Sequence, residues 1–198
     1  MKRWTVTGPI GAGKSSLTRL LAAKGAAVLD GDRLGHEVLD RPAIKTALVQ
    51  DFGEAVLVDD RIDRGRLGAL VFADPEAMVR LNSLTHGPLC AHFEARLQAL
   101  ADGGKHALAV LEAAVYFLLP DPPLMDLVIC VDAPAAIRLD RLVEGKGLTP
   151  AQALARVRSQ AAMAGLWAAA DVHIINDRGE RELSRAADDL WKRHLTGA

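Results

Sequence analysis

Only two cysteines, Cys90 and Cys130, occur in the 198 residues, and both lie in apolar surroundings. Neither belongs to a C-x-x-C pair or a Cys/His metal spacing, so small buried residues of a reducing compartment are expected, not a disulfide or zinc site. An excess of either charge is also missing, with 24 basic residues against 25 acidic ones. That balance argues against a nucleic-acid binder working through a broad basic face. No apolar stretch approaches about 18 uninterrupted residues, so no membrane span is expected. A strand pattern starts almost at the first residue and leaves no room for a signal peptide, so the expected location is the cytoplasm. Repeats and low-complexity linkers are lacking. What remains is one domain, or one with insertions; half its residues are hydrophobic, enough for a substantial core.

Gly8-Pro9-Ile10-Gly11-Ala12-Gly13-Lys14-Ser15 spells G-x-x-x-x-G-K-S. The β-branched run Trp4-Thr5-Val6-Thr7 precedes it, and a helical pattern from Lys14 to Lys24 follows, with Leu17, Leu20 and Leu21 on one face. This strand–turn–helix context is what a phosphate-binding P-loop requires. Helix N–H groups and the positive dipole end would face the phosphates. Glycines let the backbone wrap them without Cβ clashes, Lys14 would reach the β- and γ-phosphates, and Ser15 would place a hydroxyl on Mg²⁺. A bound nucleoside triphosphate follows.

Further short apolar runs read as strands: Ala27-Val28-Leu29, Leu108 to Leu111, Leu127 to Val131, and Val172 to Ile175, the last before a helix from about Glu180 to His194. Alternation with helices predicts an α/β fold of P-loop NTPase type, a five-stranded parallel sheet with helices on both faces. Residues 1–33, 103–133 and 166–198 would form the nucleotide-binding core. Helical patterns at Ile44–Phe52, Arg64–Phe72 and Pro75–Leu100, with a short β segment at Val56–Val58, make 34–102 a helical substrate subdomain. A second helical excursion, 134–165, carries Arg138, Arg141, Lys146, Arg156 and Arg158 and is the expected lid. Arg156 and Arg158 read as solvated charges; Arg141 is the better phosphate contact.

Ligands of open α/β sheets bind at the carboxyl ends of the strands. Asp30, Asp32, Glu112 and Asp132 all occupy such ends. Transfer to an alcohol needs a carboxylate to orient the hydroxyl proton, and Asp32, opening the insertion, is chosen for it. Asp30-Gly31-Asp32 is also an ordinary turn sequence. Glu112 is placed ahead of Asp132 for approach to the metal, because its strand is expected beside the first.

Assembled in order, these residues resemble the dephospho-CoA kinase family. Thr7 to Ser16 (TGPIGAGKSS) is similar to TGGIGSGKST, and DGDRLGH from Asp30 to His36 to the D-x-D that opens the substrate side. Ile62-Asp63-Arg64, Leu67 and Val71-Phe72 resemble I-D-R-x-x-L-x-x-x-V-F, and Leu81-Asn82 with His86 resembles L-N-x-x-x-H-P. Arg141, Thr149 and Gln160 match lid positions, and Ala170-Asp171-Val172 with Asn176 the A-D-x-V-I-x-N stretch near the adenine.

The resemblance implies ATP-dependent phosphorylation of the 3′-hydroxyl of dephospho-CoA, giving CoA and ADP, with Mg²⁺. ATP would be held by Gly8, Gly11, Ala12, Gly13, Lys14, Ser15, Ser16, Arg141 and Asn176. Asp32, Lys14 and Arg141 would be catalytic, and Asp32, Arg64, His86 and Glu112 would address dephospho-CoA. No nucleic-acid or membrane partner is implied; a monomer suffices and the oligomeric state is open.

Plainer roles stand beside several of these: Arg64 capping a helix or paired with Asp63 or Asp60, His86 bonded within its own loop, Asn176 a strand-end turn residue. The chain departs from the pattern at Ala113 to Phe117, where proline and a terminal acid are missing, although Glu112-Ala113-Ala114-Val115 looks like a D-A-A-V variant. It departs again at His86-Gly87-Pro88, and at Glu144-Gly145-Lys146 where a second lid arginine is expected. Another nucleotide or small-metabolite kinase is the nearest alternative. A nucleotide-dependent switch is the more distant one, and no N-K-x-D guanine motif supports it.

Overall fold

The computed structural model describes residues 1–160 and 163–197, and the side chain of Lys146 lies outside that description. In chain order the elements are β1 (Lys2–Thr7), α1 (Lys14–Ala23), β2 (Ala27–Asp30), α2 (Gly31–Leu39), α3 (Pro42–Phe52), β3 (Leu57–Val58), β4 (Arg61–Ile62), α4 (Arg64–Ala73) and α5 (Pro75–Asp102). They continue as β5 (Leu108–Glu112), β6 (Leu127–Asp132), α6 (Ala135–Lys146), α7 (Pro150–Ser159), α8 (Ala164–Trp167), β7 (Val172–Ile175) and α9 (Glu180–Leu190). Two compact units result. One comprises Met1–Asp30, Leu97–Leu118 and Leu124–Ala198, the other Gly31–Arg96 and Leu119–Pro123.

The first unit holds the five-stranded sheet, ordered β2-β5-β1-β6-β7 with every pairing parallel. Trp4 and Val6 on β1 share a core with Val110, Ile129 and Val131, with Leu17 and Leu21 from α1, and with Leu183, Ala187 and Leu190 from α9. Thr5 and Thr7 alternate with them and are buried too, Thr5 Oγ1 donating to the Leu111 carbonyl at 2.9 Å. Although Trp4-Thr5-Val6-Thr7 alternates apolar with polar residues, the strand is buried on both faces, as a central parallel strand is. In α1 the Gly25 N–H donates to the Ala22 carbonyl at 2.9 Å and the Ala26 N–H to Leu21 at 3.1 Å, closing the helix and turning the chain into β2.

The second unit is largely helical, around Leu48, Val56, Ile62, Leu67 and Val71. The expected β segment is confined to Leu57–Val58 and pairs antiparallel with Arg61–Ile62. Between them Asp59 and Asp60 adopt φ 49° and 60°, the left-handed pair that a two-residue hairpin demands. Asp63 caps α4, its carboxylate accepting the Arg66 N–H at 2.8 Å.

Two of the plainer alternatives do not hold. Asp30-Gly31-Asp32 is no turn: β2 passes straight into α2, which buries Leu34 and Val38, four residues apart. Two glycines within nine residues hide this helix from a propensity reading. His86 lies in no loop, because α5 runs on through Gly87 and Pro88 although Pro88 has no N–H to give. The described part of 134–165, the segment expected as a lid, forms short helices: Gly147 (φ 63°) ends α6. Thr149 and Gln152 then form a capping box at the start of α7, with Pro150 at its first position. Arg156 and Arg158 are exposed on α7.

Both cysteines are free and buried. Burial, aided by the Asp132 charge, pushes the Cys130 thiol up to about 11, and burial also raises Cys90. The thiolate is the reactive form, so near pH 8 both stay protonated in the folded chain. An aromatic disulfide reagent at about pH 8 should label neither thiol in the native protein and both after unfolding in guanidinium. Rapid native labelling of Cys130 would contradict this placement.

Candidate functional site

The connection from β1 to α1 is built for close approach. Gly8, Gly11 and Gly13 have φ 126°, 77° and 104°. A Cβ at Gly8 would collide with the Val131 carbonyl, one at Gly11 would meet the Arg138 carbonyl at 2.8 Å, and one at Gly13 would strike the Asn176 amide. The first turn of α1 carries no acidic residue, and Gly13 offers it no side-chain cap. Its N–H groups and dipole therefore suit an anion.

Other elements hold the carbonyls of this loop. Arg141 Nη1 donates to Gly11 and Ala12 at 3.3 and 3.2 Å, and its Nη2 to the Asn176 carbonyl at 3.0 Å. Buried Asn176 donates from Nδ2 to Ala12 at 2.8 Å. Peptide planarity then turns the Gly13 N–H away from the doubly bonded Ala12 carbonyl. Lys14 Nζ donates to the Gly8 and Pro9 carbonyls at 2.9 and 3.0 Å. Ser16 Oγ accepts from Arg19 at 3.2 Å.

Two carboxylates end the strands that flank β1, and they are used differently. Glu112 accepts from Ser15 Oγ at 2.7 Å and from Thr18 Oγ1 at 2.9 Å. Asp132 accepts from the Ala133 N–H at 2.7 Å, with Arg138 Nε 3.9 Å away, and so serves its own strand–helix junction. Thr18 escaped the sequence reading; its signal was a second hydroxyl three residues after Ser15, hence on the same helix face. Gln160, known only by resemblance, accepts the Ile10 N–H at 2.7 Å from the end of α7.

Gly8, Gly11, Ala12, Gly13, Lys14, Ser15, Ser16, Glu112, Arg141 and Asn176 thus belong to the first unit, whereas Asp32, Arg64 and His86 lie in the second. Asp32 is exposed in the first turn of α2, and His86 is half-buried in α5. Arg64 pairs with neither Asp60, which binds Lys45 at 2.8 Å, nor Asp63; its Nη1 lies 2.6 and 2.8 Å from the ring nitrogens of His36. On the same helix as His36, Glu37 meets His92 Nε2 at 2.8 Å. That hydrogen bond holds the Glu37 carboxyl below the usual range. No helix among the described residues is long and apolar enough to cross a membrane.

A family profile described as CoaE, dephospho-CoA kinase, matches residues 4–182. The chain is 39% identical over 189 residues to a dephospho-CoA kinase of Streptomyces avermitilis, covering 94% of this chain and 90% of that one. It is 37% identical to one of Thermobifida fusca, with 94% and 93% covered. Among solved structures it is similar to TT1252 from Thermus thermophilus, with TM-score 0.79, 30% identity and 97% of each chain covered. With a profile match over most of its length and relatives this similar along nearly all of it, the chain belongs to the dephospho-CoA kinase family.

Proposed function

We propose that this chain transfers the γ-phosphoryl group of ATP to the 3′-hydroxyl of dephospho-CoA, giving CoA and ADP. The observation that carries the reading, beside family membership, is the β1–α1 cradle with Lys14 at its helix start and Arg141 and Asn176 fixing its carbonyls. Phosphoryl transfer asks a protein mainly for positioning and charge stabilisation, and this loop offers both. Gly8, Gly11, Gly13, Ser15 and Ser16 line the phosphate chain. Lys14 and Arg141 meet the charge that builds on the transferred group and on the leaving ADP.

The Ser15 hydroxyl and the Glu112 carboxylate, 2.7 Å apart, are hard oxygen donors. Among the described residues no cluster of three His, Cys, Asp or Glu side chains could form a protein-only metal cage. A Mg²⁺ shared with substrate phosphates fits that donor set, with Ser15 and Glu112 as the residues that would hold it. When bound, the ion supplies charge neutralisation on the β- and γ-phosphates. Asp32 accepts and orients the acceptor hydroxyl proton; in its support, it lies two residues past Asp30, the register partner of Glu112. Arg64 and His86 hold dephospho-CoA. The cytoplasm, where ATP is abundant, is the corresponding location.

Purified protein with ATP, Mg²⁺ and dephospho-CoA should yield CoA by mass spectrometry; rapid phosphorylation of another alcohol with no CoA formed would overturn the acceptor. Lys14→Ala should lower turnover by about 10²–10³, the usual cost of removing a charge-stabilising donor. Asp32→Asn should lower kcat by about 10²–10⁴ while ATP affinity, read by calorimetry, stays within a few-fold. Asn176→Ala deletes a buried hydrogen bond, worth about 1–2 kcal/mol, and should raise the ATP dissociation constant about tenfold.

A further inference from the structure

We propose that a surface cleft of the second unit binds the 5′-diphosphate of the acceptor, through Arg64 and His36 with Arg61 at its rim. The proposal rests on dephospho-CoA being that acceptor. The cleft, about 260 Å³, is lined by His36, Leu39, Asp40, Arg61, Ile62 and Arg64. Two guanidinium groups stand against one carboxylate there, and Asp40 is already bound by Arg61 at 2.6 Å. Arg64 contacts His36 and, among the described residues, no carboxylate. A guanidinium with uncompensated charge and spare coplanar donors is suited to phosphate oxygens. The imidazole beside it accepts from Arg64 Nη1 and so orients the guanidinium fork.

Placement along α2 links this cleft to the reacting end of the substrate. His36 follows Asp32 by four residues, so the two share a helix face with Cβ atoms about 6 Å apart. In dephospho-CoA the 3′-hydroxyl and the 5′-phosphate hang from one ribose, a comparable reach apart. One helix face can therefore address both: Asp32 the hydroxyl, and His36 with Arg64 the diphosphate. Arg64 then does more than add affinity. It sets which ribose hydroxyl is presented, because anchoring the 5′ side fixes how the ring lies along α2.

The test compares kcat/KM for dephospho-CoA and for adenosine, which lacks the diphosphate, at saturating ATP. The wild-type preference for dephospho-CoA should fall at least about tenfold in Arg64→Ala and in His36→Ala, chiefly through KM for dephospho-CoA, and recover in part in Arg64→Lys. A preference retained in both alanine variants overturns the proposal. Where adenosine turnover is too slow to time, inorganic pyrophosphate is titrated by calorimetry into protein saturated with ADP. Binding weakened at least tenfold by Arg64→Ala supports the assignment; equal binding in both proteins, or none in the wild type, refutes it. A wild type that makes no CoA at all would instead remove the acceptor reading beneath it, an outcome distinct from either.

Discussion

Three positions without a Cβ decide how the nucleotide end of this protein is put together. At Gly8 the chain runs against the β6 backbone, at Gly11 against α6, and at Gly13 beneath the Asn176 amide. Each contact belongs to a different element, so a side chain at any one of them would push away a different wall. Positive φ adds a second reason for glycine at the same residues. The tight turn is possible only because sheet order puts β1 between β5 and β6, whose tips rise on either side of it. Crossover helices in a parallel sheet carry the chain back each time, and all five carboxyl ends collect on one edge.

Closeness alone would leave the loop's carbonyls short of partners, and an unpaired buried carbonyl is costly. Lys14, Arg141 and Asn176 supply five of those bonds from the helix start, from α6 and from the end of β7. Fixing the carbonyl side of a planar peptide also fixes the N–H side. The cationic and amide groups therefore order the loop's N–H donors along with its carbonyls. Gln160, accepting from Ile10, brings the end of α7 into the same network.

Much of this was legible from residue order. Strands buried on both faces leave apolar runs, so β5 and β6 stood out, β1 showed as a β-branched run, and the glycine spacing announced the loop. What stayed hidden was held by contacts distant in sequence. Asn176 was placed at the ATP site only by resemblance; by residue order it reads as a turn residue until its amide is seen on Ala12, 164 positions away. Thr18 looks like a helix-interior threonine until Glu112 arrives from β5. The first helix of the second unit was invisible for a local reason: Gly31 and Gly35 depress its propensity, and burial of Leu34 and Val38 makes good the loss. Arg64 was assigned to substrate only by resemblance; local rules favoured Asp60 or Asp63, yet Lys45 and the α4 backbone had already claimed both.

Glu112 shows why the two carboxylates beside β1 are not equivalent. A carboxylate near a phosphate cradle repels the very charge the loop attracts, and at about 4 Å in partly screened surroundings that cost is several kcal/mol. Asp132 avoids it by turning onto the Ala133 N–H at the start of its own helical segment. Glu112 does not turn away; two hydroxyls from successive turns of α1 hold both its oxygens. Such a group suits a site that also takes a cation, and one of those hydroxyls belongs to the loop's own Ser15. The strand order that seats the loop therefore also determines which carboxylate is tied to its Ser15 hydroxyl.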